Sequence, residues 1–256
     1  MGMHVRETTD MSRPLVGQGA IVTGGARGIG LGIAKRLAGE GCRIALWDLS
    51  FQSFDATAAR FTPVSIQTVD IADLKAVQSA YEATVADLGD IDILINNAGI
   101  NGPVANTWEY PTEAWDRVLA VDLTGAFYCT RVVLPGMRER MYGRIVNIAS
   151  MAGKEGVPGI SGYAAAKGGL IAFTKSVARE VTDCGIMINA VAPALTETEL
   201  FKQMTPEHIA AMKSKIPMGR CVQIDDIASL VAWMVSPGCS FTTGFTFDVS
   251  GGRAVY

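Results

Sequence analysis

Short apolar runs alternate with segments of helical periodicity along most of the chain, and that alternation sets the architecture. Ala20–Thr23, Arg43–Trp47, Ser65–Val69, Ile93–Asn96, Arg144–Ile148, Met187–Ala192 and Thr246–Val249 read as strands. Apolar positions at Ile33, Ala34 and Leu37 predict a helix after the first strand, closed by Gly39 and Gly41. Further helices are expected over about 73–88, 112–140 and 161–182, with Pro135 expected to kink or interrupt the second of these late. Strands alternating with helices in this way predict an α/β domain on a parallel sheet with crossover helices. Neither an internal repeat nor a low-complexity linker breaks the pattern. Residues 14–256 are therefore expected to form one domain, preceded by a flexible polar leader over 1–13. A polar, partly helical insertion over about 195–217 falls where a mobile lid over a substrate would sit.

Composition narrows this picture. Hydrophobic residues make up 49% of the 256 positions and charged residues 18%, ample for a sheet buried on both faces. A net charge of −3 and a pI near 5.5 argue against nucleic acid as a partner. No apolar run approaches the ~20 residues that span a bilayer. The first residues lack a signal-peptide core, and Arg6 stands where a myristoylation motif wants Ser or Thr. Five cysteines are scattered with no C-x-x-C pair, and there are two histidines. That usage predicts a reducing, cytoplasmic setting and gives no support for a metal site.

Two stretches carry candidate chemistry. In Ser150–Lys167, a serine precedes a glycine- and proline-bearing loop, and Tyr163 and Lys167 follow at helical i, i+4 spacing on one face. A free tyrosine ionises near pH ~10. An ammonium about 4 Å away contributes roughly 4 kcal/mol at an effective dielectric of ~20, which predicts a phenol that can exchange a proton near neutrality. Alone, the pair reads as a half-buried ring beside a solvated charge. The second stretch, Thr23–Gly30, follows a strand and opens a helix, with Gly24, Arg27, Gly28, Ile29 and Gly30 placed to bring backbone N–H groups to a pyrophosphate. Its G-x-x-x-G-x-G spacing departs from G-x-G-x-x-G, and lone glycine loops are often plain turns. Asp48 closes the second strand, where a carboxylate accepts from ribose hydroxyls and repels a 2′-phosphate. Arg27 is the counter-argument, because a guanidinium there could hold that phosphate. The balance favours NAD over NADP.

With Asn96-Asn97-Ala98-Gly99 after the fourth strand and Asn189–Pro193 at the sixth, these motifs together resemble the short-chain dehydrogenase/reductase family over nearly the whole chain. The resemblance implies a Rossmann-type, doubly wound sheet of about seven strands and hydride transfer between nicotinamide and a carbonyl or secondary alcohol. It implies Tyr163 as acid/base, Lys167 as the group that makes the phenol more acidic and grips the ribose, and Ser150 as donor to the reacting oxygen. It further implies that Asp70 and the Ile71 backbone contact adenine, that Asn97, Ala98 and Gly99 flank the cofactor, and that Pro193, Leu195 and Thr198 lie by the nicotinamide. For Asp70, Asn96 and Asn97 the plainer reading is a cap or an Asx turn. Two departures stand out. Asp122 replaces the asparagine that in the family completes a proton relay through a water and Lys167. Pro193-Ala194 replaces the usual Pro-Gly.

The C-terminal half resembles the sugar and sugar-acid dehydrogenase branch, which implies a small polyhydroxylated acid as substrate. Lys154, Glu155, Glu197 and Arg253 are charges expected near the pocket mouth, where an acidic polyol needs a cation and hydroxyl partners. Read plainly, they are ordinary surface charges. Competing readings are a 3-oxoacyl-carrier-protein reductase, which would favour NADPH and a basic docking patch, and a nucleotide-sensing scaffold without turnover. Two long helices, more apolar than one covered face requires, imply with the resemblance a dimer or homotetramer.

Overall fold

In a computed structural model, residues 15–197, 210, 213–254 and 256 are described. Seven strands form one parallel sheet: β1 (Gly19–Thr23), β2 (Arg43–Asp48), β3 (Ser65–Thr68), β4 (Ile93–Asn96), β5 (Gly143–Ile148), β6 (Ile186–Pro193) and β7 (Thr246–Val249). They lie in the order β3-β2-β1-β4-β5-β6-β7, so the order reverses between β1 and β4. Every residue of β1, β4 and β5 is buried, as a sheet covered on both faces demands.

The helices divide between the two faces. On one lie α1 (Gly28–Gly39) and α8 (Ile224–Val235), which seal Ile33 and Leu37 against Ile227 and Val231. They approach closely at Gly32, where an added Cβ would stand 2.1 Å from Ile224 Cγ2. A short α2 (Ala56–Ala59) follows β2. The opposite face carries α3 (Leu74–Leu88), α5 (Ala126–Glu139) and α7 (Ser161–Glu180), whose Val77, Val133, Met137 and Val177 bury Ile21, Leu94 and Ile188. At roughly 1.5–3 kcal/mol per fully buried aliphatic side chain, these two layers dominate the stabilisation.

Three features differ from expectation. The long helix runs as α4 (Thr112–Leu119), a π-helical turn over Ala120–Gly125, and α5, with Pro135 accommodated inside α5. Its interruption therefore falls at Asp122 rather than at the proline. Taken as one run, Thr112–Glu139 is long and apolar enough to cross a membrane, with a mean hydropathy of 1.4, where no such run was expected. Here it packs on α3, α7, β4 and β5. The residues after Ser150 form a helix, α6 (Met151–Glu155), rather than a loop. Finally, α8 has no counterpart in the pattern read from the sequence. Its signal is a reciprocal capping box between Gln223 and Asp226, followed by apolar positions at helical spacing.

Candidate active site

The order reversal opens a crevice beyond the C-terminal ends of β1 and β4, where open α/β sheets bind ligands. Its floor is made by the chain itself. The Thr23 hydroxyl donates to the Ile95 carbonyl at 3.2 Å and accepts from the Asn97 and Ala98 amides at 3.0 and 3.1 Å. Asn97 Nδ2 donates to the carbonyls of Thr23 at 2.9 Å and Gly24 at 3.1 Å. The glycine loop is thus clamped to the end of β4. A Cβ on Gly30 would lie 2.2 Å from the Gly24 carbonyl oxygen, so the loop folds directly on the first turn of α1. Gly28 sits at φ +56, a left-handed position that favours glycine. Arg27 is the N-cap of α1 and offers no side-chain cap, which leaves first-turn amides for an anion. Ile29 packs against the core.

Asp48 ends β2 beside this loop. Its Oδ2 accepts from the Ala26 amide at 3.0 Å, and the side chain lines the same cleft as Gly24, Arg27, Asp70, Asn97 and Gly99. Ile71 also lines that cleft, packed where a Cβ on Gly125 would meet it at 2.7 Å. Asp70 accepts from the Ala72 amide at 3.0 Å and pairs with Arg117 at 2.9 Å. Arg117, on α4 and at the cleft, is a residue the sequence did not single out; on an exposed helical position nothing marks it.

At the other side stand the proton-handling groups. Ser150 caps α6, its Oγ accepting from the Ala152 amide at 3.1 Å, which leaves its own proton free to donate. Tyr163 lies in the first turn of α7, half-buried. One turn on, the buried Lys167 places Nζ over the tyrosine ring, 5.6 Å from its centroid, and donates to the Ile148 carbonyl at 3.0 Å. The helices α6 and α7 touch through backbone: a Cβ on Gly153 would fall 2.6 Å from the Lys167 carbonyl carbon. Behind Lys167, Asp122 Oδ2 is 3.3 Å from Nζ, and Oδ1 accepts from the Ile100 amide at 2.8 Å. Burial pushes the Asp122 carboxyl up from the ordinary carboxylate range, against the Lys167 charge and the Ile100 amide, which pull it down. Burial also pushes the Cys42 and Cys129 thiols up to about 12, far from the range of reactive cysteines.

The charges expected at the pocket mouth hold one another. Arg253 forks onto Glu155, Lys154 stands 3.8 Å from Asp248, and the Tyr256 hydroxyl donates to the Lys154 carbonyl. Glu197 accepts from Gln223 at 3.0 Å. Pro193 ends β6 buried, and Ala194 donates to the Val249 carbonyl at 3.0 Å. Leu195 and Glu197 bond to Val222 at 2.9 and 3.1 Å, bringing the two ends of the expected lid together. Thr198, the leader and most of the lid segment lie outside the described residues.

A family model described as enoyl-(acyl carrier protein) reductase matches residues 24–254. A 2-dehydro-3-deoxy-L-rhamnonate dehydrogenase (NAD(+)) of Sphingomonas sp. (strain SKA58) is 45% identical over 240 residues, covering 94% of this chain and 96% of that protein. The chain belongs to the short-chain dehydrogenase/reductase family. This short-chain dehydrogenase/reductase is also 36% identical over 250 residues to a 2,3-dihydroxy-2,3-dihydro-p-cumate dehydrogenase of Pseudomonas putida, covering 94% of this chain and 96% of that one. Its fold superposes on an NAD+-bound xylitol dehydrogenase with a TM-score of 0.88 and 32% identity, over 93% of this chain and 99% of the other. As a member of the family it is an oxidoreductase acting on CH–OH groups, and the resemblance read from its motifs holds over nearly its full length.

Proposed function

We propose that this enzyme interconverts a secondary alcohol and a ketone on a small polyhydroxylated acid, a 2-keto-3-deoxy sugar acid, with NAD as hydride carrier. The observation that carries the reading is the place of Lys167. Its Nζ would be 3.1 Å from a Cβ on Gly99, a glycine that lines the dinucleotide cleft. The residue paired with Tyr163 therefore reaches the cleft floor, and only a glycine leaves it room.

The missing Cβ atoms at Gly24, Gly30 and Gly99 make a cradle that fits a dinucleotide. First-turn amides of α1 would hold the pyrophosphate, Asp48 the adenine ribose, Asp70 with Ile71 the adenine, and Lys167 the nicotinamide ribose. Ala98, Pro193, Leu195 and Thr198 would border the nicotinamide. When bound, that ring supplies the acceptor for a hydride. Ser150 donates to the substrate oxygen, where such a donor counts most as charge develops. Tyr163 takes the hydroxyl proton under the influence of the Lys167 ammonium, and returns it in the reverse direction.

The sugar-acid reading is supported by the Sphingomonas relative, whose name gives both the acid and NAD(+). The C-terminal half also resembles L-2-keto-3-deoxyfuconate 4-dehydrogenase, another enzyme of such acids. The Glu155–Arg253 pair neutralises both charges, so these residues, with Lys154, would meet a substrate as a cluster rather than as free ions. The family model's description favours a second reading, a carrier-protein reductase. Initial rates with sugar acids and polyols, with NAD+ and with NADP+, separate the two. Reduction of NAD+ by a sugar acid supports the first reading, and strict dependence on NADPH with an acyl thioester supports the second. We place the enzyme in the cytoplasm, where its five free, buried cysteines stay reduced. We assign it a homotetramer, assembled first through α4–α5 and α7.

A further inference from the structure

Asp122 is a buried carboxylate directly behind the acid/base pair, where the family carries an amide. It is 1% exposed and sits on the π-helical turn between α4 and α5. Oδ1 is committed to the Ile100 amide at 2.8 Å. Oδ2 faces Lys167 Nζ at 3.3 Å and has no hydrogen-bond partner among the described residues. Both groups reach the cleft through Gly99, where a Cβ would lie 2.8 Å from Asp122 Oδ2 and 3.1 Å from Lys167 Nζ. An asparagine could still accept from Ile100, but its other arm would present N–H groups to an ammonium that has only N–H groups to offer. A carboxylate there accepts instead.

The charges around Asp122 come from few elements. From α7 come Lys167 and, beyond it, Tyr163. The loop after β4 brings only the Ile100 amide, and β5 the Ile148 carbonyl that holds Lys167. From α4, Arg117 is engaged with Asp70 and Asp116 is exposed; on α5, Arg131 is exposed.

We propose that Asp122 is the internal proton acceptor of this site, taking through Lys167 the proton that the alcohol gives up. This rests on the dehydrogenase reading above. The step balances: the alcohol O–H proton passes to Tyr163, Lys167 accepts a proton from the tyrosine side and releases one to Asp122, and the hydride leaves for the nicotinamide. The carboxylate ends protonated and later returns its proton to solvent. Asp122 acts through Lys167, as a positioning residue that also stores a proton. Burial favours the protonated carboxyl, which supports a proton affinity above that of a surface carboxylate.

Asp122→Asn tests this in two ways. In turnover with NAD+, the variant is expected to lose roughly tenfold or more in kcat at neutral pH, within the range of one proton-transfer group. The acid-side ionisation in the kcat–pH profile should disappear with it, while Kd for NAD+ changes less than about threefold. The second readout needs no substrate. A carboxyl whose folded value is raised stabilises the fold fully below its unfolded value, and that stability is lost as pH rises through the raised value. The Tm difference, wild type minus Asp122→Asn, should therefore fall as pH rises from about 4. An unchanged kcat–pH profile or a flat Tm difference would overturn the proposal. If the variant does not fold, single turnover of the wild type with a pH indicator decides. A proton appearing in solution later than NADH supports internal capture, and simultaneous appearance refutes it. If no substrate yields NADH, the dehydrogenase reading fails, and the Tm comparison still decides whether Asp122 titrates.

Discussion

At the scale of single residues, cofactor choice rests on one carboxylate. Asp48 is held by the Ala26 amide and stands in the cleft beside the exposed Arg27. Its charge and that guanidinium pull in opposite directions on a 2′-phosphate, one repelling and one attracting. Asp48→Ser removes the repulsion and leaves Arg27 free to act. The expected result is a shift of about tenfold or more in the NAD+ to NADP+ ratio of kcat/KM, since one close charge in this setting is worth a few kcal/mol at most. Unaltered selectivity would remove Asp48 from the ribose site. These residues were legible from the sequence because each owes its place to a local rule: a glycine at positive φ, a carboxylate at a strand end, a tyrosine and lysine one turn apart. Arg117 was not legible. Its partner Asp70 is distant in sequence, and no local spacing links the two.

At the scale of elements, α6 and α7 carry the proton chemistry as one unit. The join is Gly153, where any side chain would meet the backbone of Lys167 and Gly168 at 2.6 and 2.7 Å. Gly153→Ala should push α6 away from α7 and carry Ser150 with it. Overpacking of this kind costs about 1–3 kcal/mol. The expected outcome is a lowered Tm and a kcat reduced well beyond KM for NAD+, because the cleft on the far side of β4 is untouched. A variant with wild-type kcat would show that Ser150 does not depend on this contact. The strands were read from sequence to within a residue or two, since runs apolar at every position have few alternatives once helices cover both faces. The π-helical turn was not readable: an extra residue in a helix leaves the apolar pattern nearly unchanged, and Pro135 drew the break to itself. The helix α6 was hidden by its length and its glycine, and α8 by the irregular segment before it.

For the molecule as a whole, the outer surfaces of α5 and α7 hold the next level of organisation. Phe127, 39% exposed, packs edge-on with Phe173 of α7 at 6.2 Å, and Tyr128 lies beside it. Aromatic surface left partly open on adjacent helices suits a symmetric contact between copies. Light scattering at micromolar concentration is expected to give about four times the 27.1 kDa chain mass, and a monomer would remove the assembly from this account. The sheet, the cleft and the two catalytic helices all converge on one act, the passage of a proton to Tyr163 as a hydride leaves for NAD+. The most direct measurement is NADH formation from a panel of sugar acids by the wild type and by Tyr163→Phe, with NAD+ binding followed in both. The account predicts NADH from the wild type, loss of at least about a hundredfold in the variant, and NAD+ affinity nearly equal in the two. Near-wild-type turnover by Tyr163→Phe would contradict it.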